Sequence, residues 1–137
     1  MIYVDANYWI YWFDQRLPEH KYVLEPMRKA IHEGIILNTV SLIEVAHYFR
    51  WLPKEDFKRR LNTIQNLATL TLISLDQNLT KLALEQLIKY AKIGIGGRDS
   101  VIIATMRTTG TKRIATHDEV FKKIKDLEVI NTIPKTI

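Results

Sequence analysis

The sequence predicts an α/β domain built on a mostly parallel sheet, and three observations carry that expectation. Short runs rich in Ile, Val and Leu alternate with segments of helical period from the first residue to the last. The 137 residues match the common length of one compact unit, long enough to bury about two-thirds of the surface an unfolded chain exposes. With 47% hydrophobic and 26% charged residues, and only 5 Gly and 4 Pro, the composition is that of a globular chain rather than a disordered one.

Taken in order, Ile2 to Val4 reads as a strand ending in Asp5, which can cap the helix after it. Ile35 to Leu37 is a second strand. A helix over Ser41 to Trp51 is stopped before Pro53, and a charged helix over Lys54 to Leu67 turns Lys58, Arg59 and Arg60 outward. Leu70 to Ser74 is the third strand. The longest helical signal, Asp76 to Tyr90, repeats Leu79, Leu82, Ala83, Leu87 and Tyr90 at spacings of three and four, with Asp76 as N-cap and Gly94 closing it. Gly94-Ile95-Gly96-Gly97 lacks the Lys-Ser/Thr of a phosphate loop and reads as a helix stop and a turn. Asp99 to Thr108 forms a short apolar helix ending at Gly110, followed by a strand at Arg113 to Ala115, a helix at His117 to Ile124 and a strand at Glu128 to Ile130. No repeat or linker divides the chain, so residues 1–137 are expected to be one unit.

Composition narrows the function classes. The chain has no cysteine, which excludes disulfides, thiolate metal sites and thiol nucleophiles. A net charge of +5 suits a polyanionic partner such as nucleic acid. The N-terminus lacks the basic region and apolar run of a signal peptide, and no apolar stretch reaches about 18 residues, so a cytoplasmic protein without a membrane anchor is expected.

Three acids lie in apolar surroundings: Asp5 after its strand, Glu44 in Ser41-Leu42-Ile43-Glu44-Val45-Ala46, and Asp99 in Asp99-Ser100-Val101-Ile102-Ile103-Ala104. A buried ionised carboxylate costs several kcal/mol unless it is paired or bound to a cation, and no base stands at helical spacing within these motifs to pair with it. Asp118, just after the strand ending at Ala115, completes a set of four near the carboxyl ends of the strands, where ligands bind in open α/β sheets. Singly, each acid has a local explanation: Asp5, Asp99 and Asp118 as N-caps, Glu44 as capping-box partner of Ser41. Together they are hard oxygen donors suited to Mg²⁺ or Mn²⁺. Such an ion beside a basic protein points to phosphodiester chemistry.

These segments resemble the PIN domain family and, within it, the VapC-type ribonuclease toxins. Tyr3-Val4-Asp5-Ala6-Asn7 is similar to the family's opening motif, Ser41-Leu42-Ile43-Glu44-Val45 to its second, Arg98-Asp99-Ser100-Val101-Ile102-Ile103-Ala104 to its third, and Thr116-His117-Asp118-Glu119-Val120-Phe121 to its last. The resemblance spans essentially the whole chain. It implies a three-layer fold and a metal-dependent endoribonuclease whose Asp5, Glu44, Asp99 and Asp118 hold Mg²⁺ or Mn²⁺. It further implies that Ser41 belongs to the second motif, that Asn7 and Thr116 orient the acids or water, that a cognate antitoxin is the partner, and that the chain forms a homodimer. An RNA-processing nuclease and a non-catalytic RNA-binding scaffold are the competing readings. A phospho-acceptor role for Asp5 lacks the lysine and second acid it needs.

Other features read more plainly. Tyr8, Trp9, Tyr11, Trp12 and Phe13 are expected to be mainly core, with a subunit or antitoxin contact as the alternative. Arg50, Lys54, Lys58, Arg59 and Arg60, and a second cluster around Arg107, Lys112, Arg113, Lys122, Lys123 and Lys125, are expected to be solvated faces. His117 is expected at the surface.

Overall fold

A computed structural model describes residues 1–136. The elements are β1 (Ile2–Val4), α1 (Ala6–Phe13), α2 (His20–Glu33), β2 (Ile35–Asn38), α3 (Thr39–Phe49), α4 (Lys54–Gln65), β3 (Leu70–Ile73), α5 (Gln77–Tyr90), α6 (Gly97–Thr109), β4 (Arg113–Ala115) and β5 (Glu128–Ile130), with 3₁₀ turns at Ala91–Ile93 and Glu119–Lys123. The five strands form one sheet in the order β3-β2-β1-β4-β5, and every pairing is parallel. This is the three-layer α/β architecture predicted. Every residue of β1 and β2 is buried, whereas β3 and β5 at the edges are partly exposed. Strands covered on both faces read as unbroken apolar runs rather than as alternation, which is why Ile2-Tyr3-Val4 and Ile35-Ile36-Leu37 were recognisable.

Three elements differ from expectation. Sequence reading placed no helix between Phe13 and Ile35, yet α2 occupies 14 of those residues. Its lysines, glutamates and Pro26 mask the inward stripe Val23, Met27 and Ala30. Proline cannot donate to the carbonyl four residues back, and the Tyr22 carbonyl instead accepts from the Thr132 hydroxyl at 2.6 Å. The segment His117 to Ile124 is a single 3₁₀ turn at Glu119–Lys123, not an α-helix. The helix expected from Ser41 begins two residues earlier, at Thr39, because Asn38 is its N-cap and accepts from Val40 N–H at 2.9 Å.

The aromatic run is packed within the chain. Tyr8 and Trp9 are fully buried; Tyr11, Trp12 and Phe13 are half-buried against the same core. Half of the second basic cluster is paired: Arg107 binds Asp126, Arg113 binds Glu33 and Glu128, and Lys122 binds Glu119.

The end of α1 is fixed to α3 through Asp14, whose carboxylate accepts from Arg16 Nε and Nη2 at 3.0 Å each and from the Tyr48 hydroxyl at 2.9 Å. The Arg16 hydrogen bonds, against an opposing contribution from burial and helped by Tyr48, hold the Asp14 carboxyl down at about 2. A carboxyl that ionises more readily folded than unfolded stabilises the fold above the ordinary carboxylate range, and that stabilisation is lost as pH falls from about 4 toward 2. Asp14→Asn should therefore lower stability by about 1 kcal/mol at neutral pH, Arg16 being exposed, and cost less at pH 3. Urea unfolding of both proteins at pH 7 and pH 3 checks this; an equal difference at the two pH values contradicts it.

Candidate active site

Strand order reverses beside β1: the chain leaves β1 toward β2 on one side, and β4 returns on the other. The carboxyl ends of β1 and β4 therefore open a crevice at the sheet's switch point. The pairing of Val4 with Ala115 puts Asp5 beside Thr116, and Asp5 N–H donates to the Ala115 carbonyl at 3.0 Å.

Asp5 is fully buried. Its Oδ1 caps α1 by accepting from Ala6 N–H at 2.7 Å, and its Oδ2 accepts from the Thr116 hydroxyl at 2.7 Å. Thr116 Oγ1 in turn accepts from Asp118 N–H at 3.0 Å and from Asn7 Nδ2 at 3.4 Å. Asn7 Oδ1 receives His117 N–H at 3.2 Å, so Asn7 and Thr116 tie the first turn of α1 to the loop after β4.

Glu44 is carried one turn beyond Ser41 on the same face of α3. Ser41 is not its capping partner, which overturns that alternative. The Ser41 hydroxyl is buried and hydrogen-bonds the Tyr3 hydroxyl at 2.6 Å, while the same phenol oxygen accepts from Asn38 N–H at 3.2 Å. Asn38 Nδ2 donates to Thr105 Oγ1 at 3.0 Å, tying the end of β2 to α6. Asp99 sits in the first turn of α6, where its Oδ2 accepts from Gly96 N–H at 3.2 Å, a local helix-start role alongside any other.

Sequence reasoning missed the residue at the middle. Arg98 donates through Nε to Glu44 at 2.5 Å, through Nη1 to Asp99 at 2.9 Å, and through Nη2 to Asp5. No base stands at helical spacing within these motifs, yet Arg98 pairs with all three acids across the fold. Arg98 lies next to Asp99 in sequence, but its pairing with Asp5 and Glu44 reaches across three segments of chain.

Burial pushes the Asp5 carboxyl above its ordinary range, opposed by Arg98, Thr116 and Ala6. Burial also raises Glu44, with Asp5 and Asp99 adding repulsion and Arg98 opposing. For Arg98, burial favours loss of the proton, but the charges of Asp5, Glu44 and Asp99 outweigh it and raise its pKa. Glu44 Oε1 is buried and, among the described residues, has no hydrogen-bond partner.

Three of the four predicted acids therefore meet at one cation. Asp118 does not join that contact; it caps the 3₁₀ turn by accepting from Val120 N–H at 3.0 Å and connects to Asp5 through Thr116. Among the described residues, no three His, Asp or Glu side chains close around a single metal position, because a guanidinium stands between the acids. The donor set nevertheless fits a hard divalent cation: all donors are carboxylate oxygens, one is unpartnered, and the point where they converge already holds positive charge. His117 Nδ1 is bonded to the Tyr11 hydroxyl at 3.1 Å. Beside the acids runs a groove of about 710 Å³ lined by Asn7, Ile10, Ile43, His47, Trp51 and Arg98.

The chain matches the family model for the PIN domain over residues 2–127. No curated protein sequence matches it. Among solved structures, VapC20 of Mycobacterium tuberculosis, a Sarcin-Ricin loop cleaving toxin, is similar at a TM-score of 0.77 and 15% identity, covering 94% of this chain and 98% of that one. VapBC2 from Rickettsia felis, bound to a DNA fragment from its promoter, is similar at 0.71 and 20%, covering 96% and 98%. FitAcB from Neisseria gonorrhoeae is similar at 0.73 and 18%, again covering 96% and 98%. At such identities the likeness is one of fold.

The Tyr3 hydroxyl links β1 to Asn38 at the end of β2 and Ser41 in α3, three buried residues. Tyr3→Phe leaves the Asn38 N–H and the Ser41 hydroxyl without that partner and should destabilise the protein by about 1–3 kcal/mol. Denaturant unfolding measures it, and a change within 0.5 kcal/mol (roughly the scatter of neutral surface substitutions) would show that the bridge contributes little.

Proposed function

This chain belongs to the PIN domain family, and we propose that it is a metal-dependent endoribonuclease acting as the toxin of a type II toxin–antitoxin pair. The observation that carries the reading is the meeting of Asp5, Glu44 and Asp99, from three separate segments, on one cationic position at the carboxyl edge of the sheet. Asp5, Glu44, Asp99 and Asp118 would hold Mg²⁺ or Mn²⁺. When bound, the ion supplies Lewis acidity, making water a nucleophile near neutral pH and offsetting charge on the phosphate.

The chain's own residues do the rest. Thr116 and Ala6 N–H fix both oxygens of Asp5, and Asn7 holds Thr116 and the His117 backbone in register. Ser41 and Tyr3 set the turn of α3 that presents Glu44. The groove beside the acids carries His47 and Arg50 and an 83% exposed Trp51, a surface on which unpaired RNA bases can stack and phosphates find charge. Hydrolysis there leaves a 5′-phosphate and a 3′-hydroxyl, and residues 1–137 act as one nuclease unit.

A cognate antitoxin is the proposed partner, supported by the fold likeness to VapBC and FitAB assemblies. A homodimer is supported by Leu84 and Ile88, exposed one turn apart on α5. Among the described residues no helix is long and apolar enough to cross a membrane, in keeping with a cytoplasmic enzyme. One observation favours the rival reading, a scaffold that has lost its metal: Arg98 already neutralises part of the acid cluster.

Cleavage of a mixed-sequence RNA by wild type and Asp99→Asn, each with Mn²⁺, Mg²⁺ or EDTA, separates the two. Only metal-loaded wild type should cut, with the variant slower by about 100-fold or more. Cutting that survives both EDTA and the substitution overturns the site; cutting by neither protein, with RNA still bound, favours the scaffold.

A further inference from the structure

We infer that Arg98 is a displaceable internal counter-ion: its guanidinium occupies the acid centre at rest, and a divalent cation binds by driving it out into the adjoining groove. This rests on the metal-centre reading above.

Each guanidinium nitrogen serves a different acid, Nε for Glu44, Nη1 for Asp99 and Nη2 for Asp5. The planar fork of arginine can satisfy three carboxylates at once, whereas a lysine ammonium is a point charge with no such fixed geometry. Among the described residues no other base forms an ion pair with any of these acids. Asp5 Oδ2 is taken by Thr116 and Oδ1 by Ala6 and Arg98, so a cation that approaches Asp5 from the groove competes with Arg98 for Oδ1.

Two features make the occupancy reversible. One guanidinium faces three carboxyl groups, more acids than it can neutralise, and Glu44 Oε1 keeps a buried acceptor that Arg98 does not reach. A divalent ion offers more charge and can use that oxygen. Arg98 is also 32% exposed and lines the groove, unlike Asp5, so its long side chain can swing out while its Cα stays in the first turn of α6. While Arg98 fills the centre, the observed metal affinity is the intrinsic affinity scaled by the fraction of molecules in which it has moved away.

Two opposite effects follow from Arg98→Gln. Without metal, the acids lose their only cation and the melting temperature should fall by several degrees; with the competitor gone, Mn²⁺ should bind about tenfold more tightly or better. A purely structural role would weaken both. Calorimetric titration with Mn²⁺, and melting with and without Mn²⁺, of the EDTA-stripped full chain reads these quantities. Arg98→Lys, which keeps a charge but not the fork, is the second variant should the first fail to fold, and it should bind Mn²⁺ more tightly than wild type by a smaller factor. Equal or weaker Mn²⁺ binding by the variants, with wild type binding well, overturns the displacement and leaves the metal centre standing. Absence of Mn²⁺ binding in every protein overturns both.

Discussion

A fully buried aspartate is the constraint around which the rest of this molecule is arranged. Asp5 lies at the end of the central strand, with apolar Val4 before it and Ala6 after it, where an unpaired charge costs several kcal/mol. The structure meets that cost with three donors: Ala6 N–H, at the start of α1 where the helix dipole also favours negative charge; the Thr116 hydroxyl; and the Arg98 guanidinium. They come from three stretches of chain, the start of α1, the loop after β4 and the first turn of α6. The crossover from β3 to β4, by way of α5 and α6, is what brings Arg98 across the sheet to Asp5, so the topology and the electrostatics are a single problem.

The same requirement explains why the supporting polar groups are buried and paired. Tyr3, Asn38, Ser41 and Thr105 form a chain of hydrogen bonds running from β1 through the end of β2 to α3 and α6. Such a network is unforgiving, since any one group left unpaired in a low-dielectric interior is destabilising. It locks the elements that carry Glu44 and Arg98 at fixed positions relative to Asp5. Apolar packing alone would leave a helix free to slide by fractions of an ångström.

Much of this was legible in the sequence, and the pattern of what was not is instructive. The five strands and the helices with clean apolar periodicity, such as α5, could be read because burial on one or both faces imposes a composition. Helix α2 could not: its charged residues and internal proline hide a narrow inward stripe, and the carbonyl freed by Pro26 is rescued by Thr132, more than a hundred residues away. The acids were legible because a carboxylate in an apolar run is anomalous by itself. Arg98 was not, because arginine beside aspartate at a helix start is ordinary, and its meaning comes only from Asp5 and Glu44, which are distant in sequence.

Asp118 stands apart from the contact that Arg98 makes with the other three acids: it caps a turn and touches Asp5 only through Thr116. Thr116 Oγ1 has one proton, given to Asp5, and lone pairs that accept Asp118 N–H and Asn7. The position of the Asp118 backbone is therefore coupled to Asp5 through Thr116: the carboxyl group that takes the threonine's proton also orients its lone pairs. An acid held by a hydroxyl that already serves the central carboxylate is placed by the same charge that Arg98 answers from the other side. The site is thus built around Asp5 from neutral hydrogen bonds and one charged contact, and of Asp5's side-chain partners Arg98 is the one with a long side chain that lines the groove.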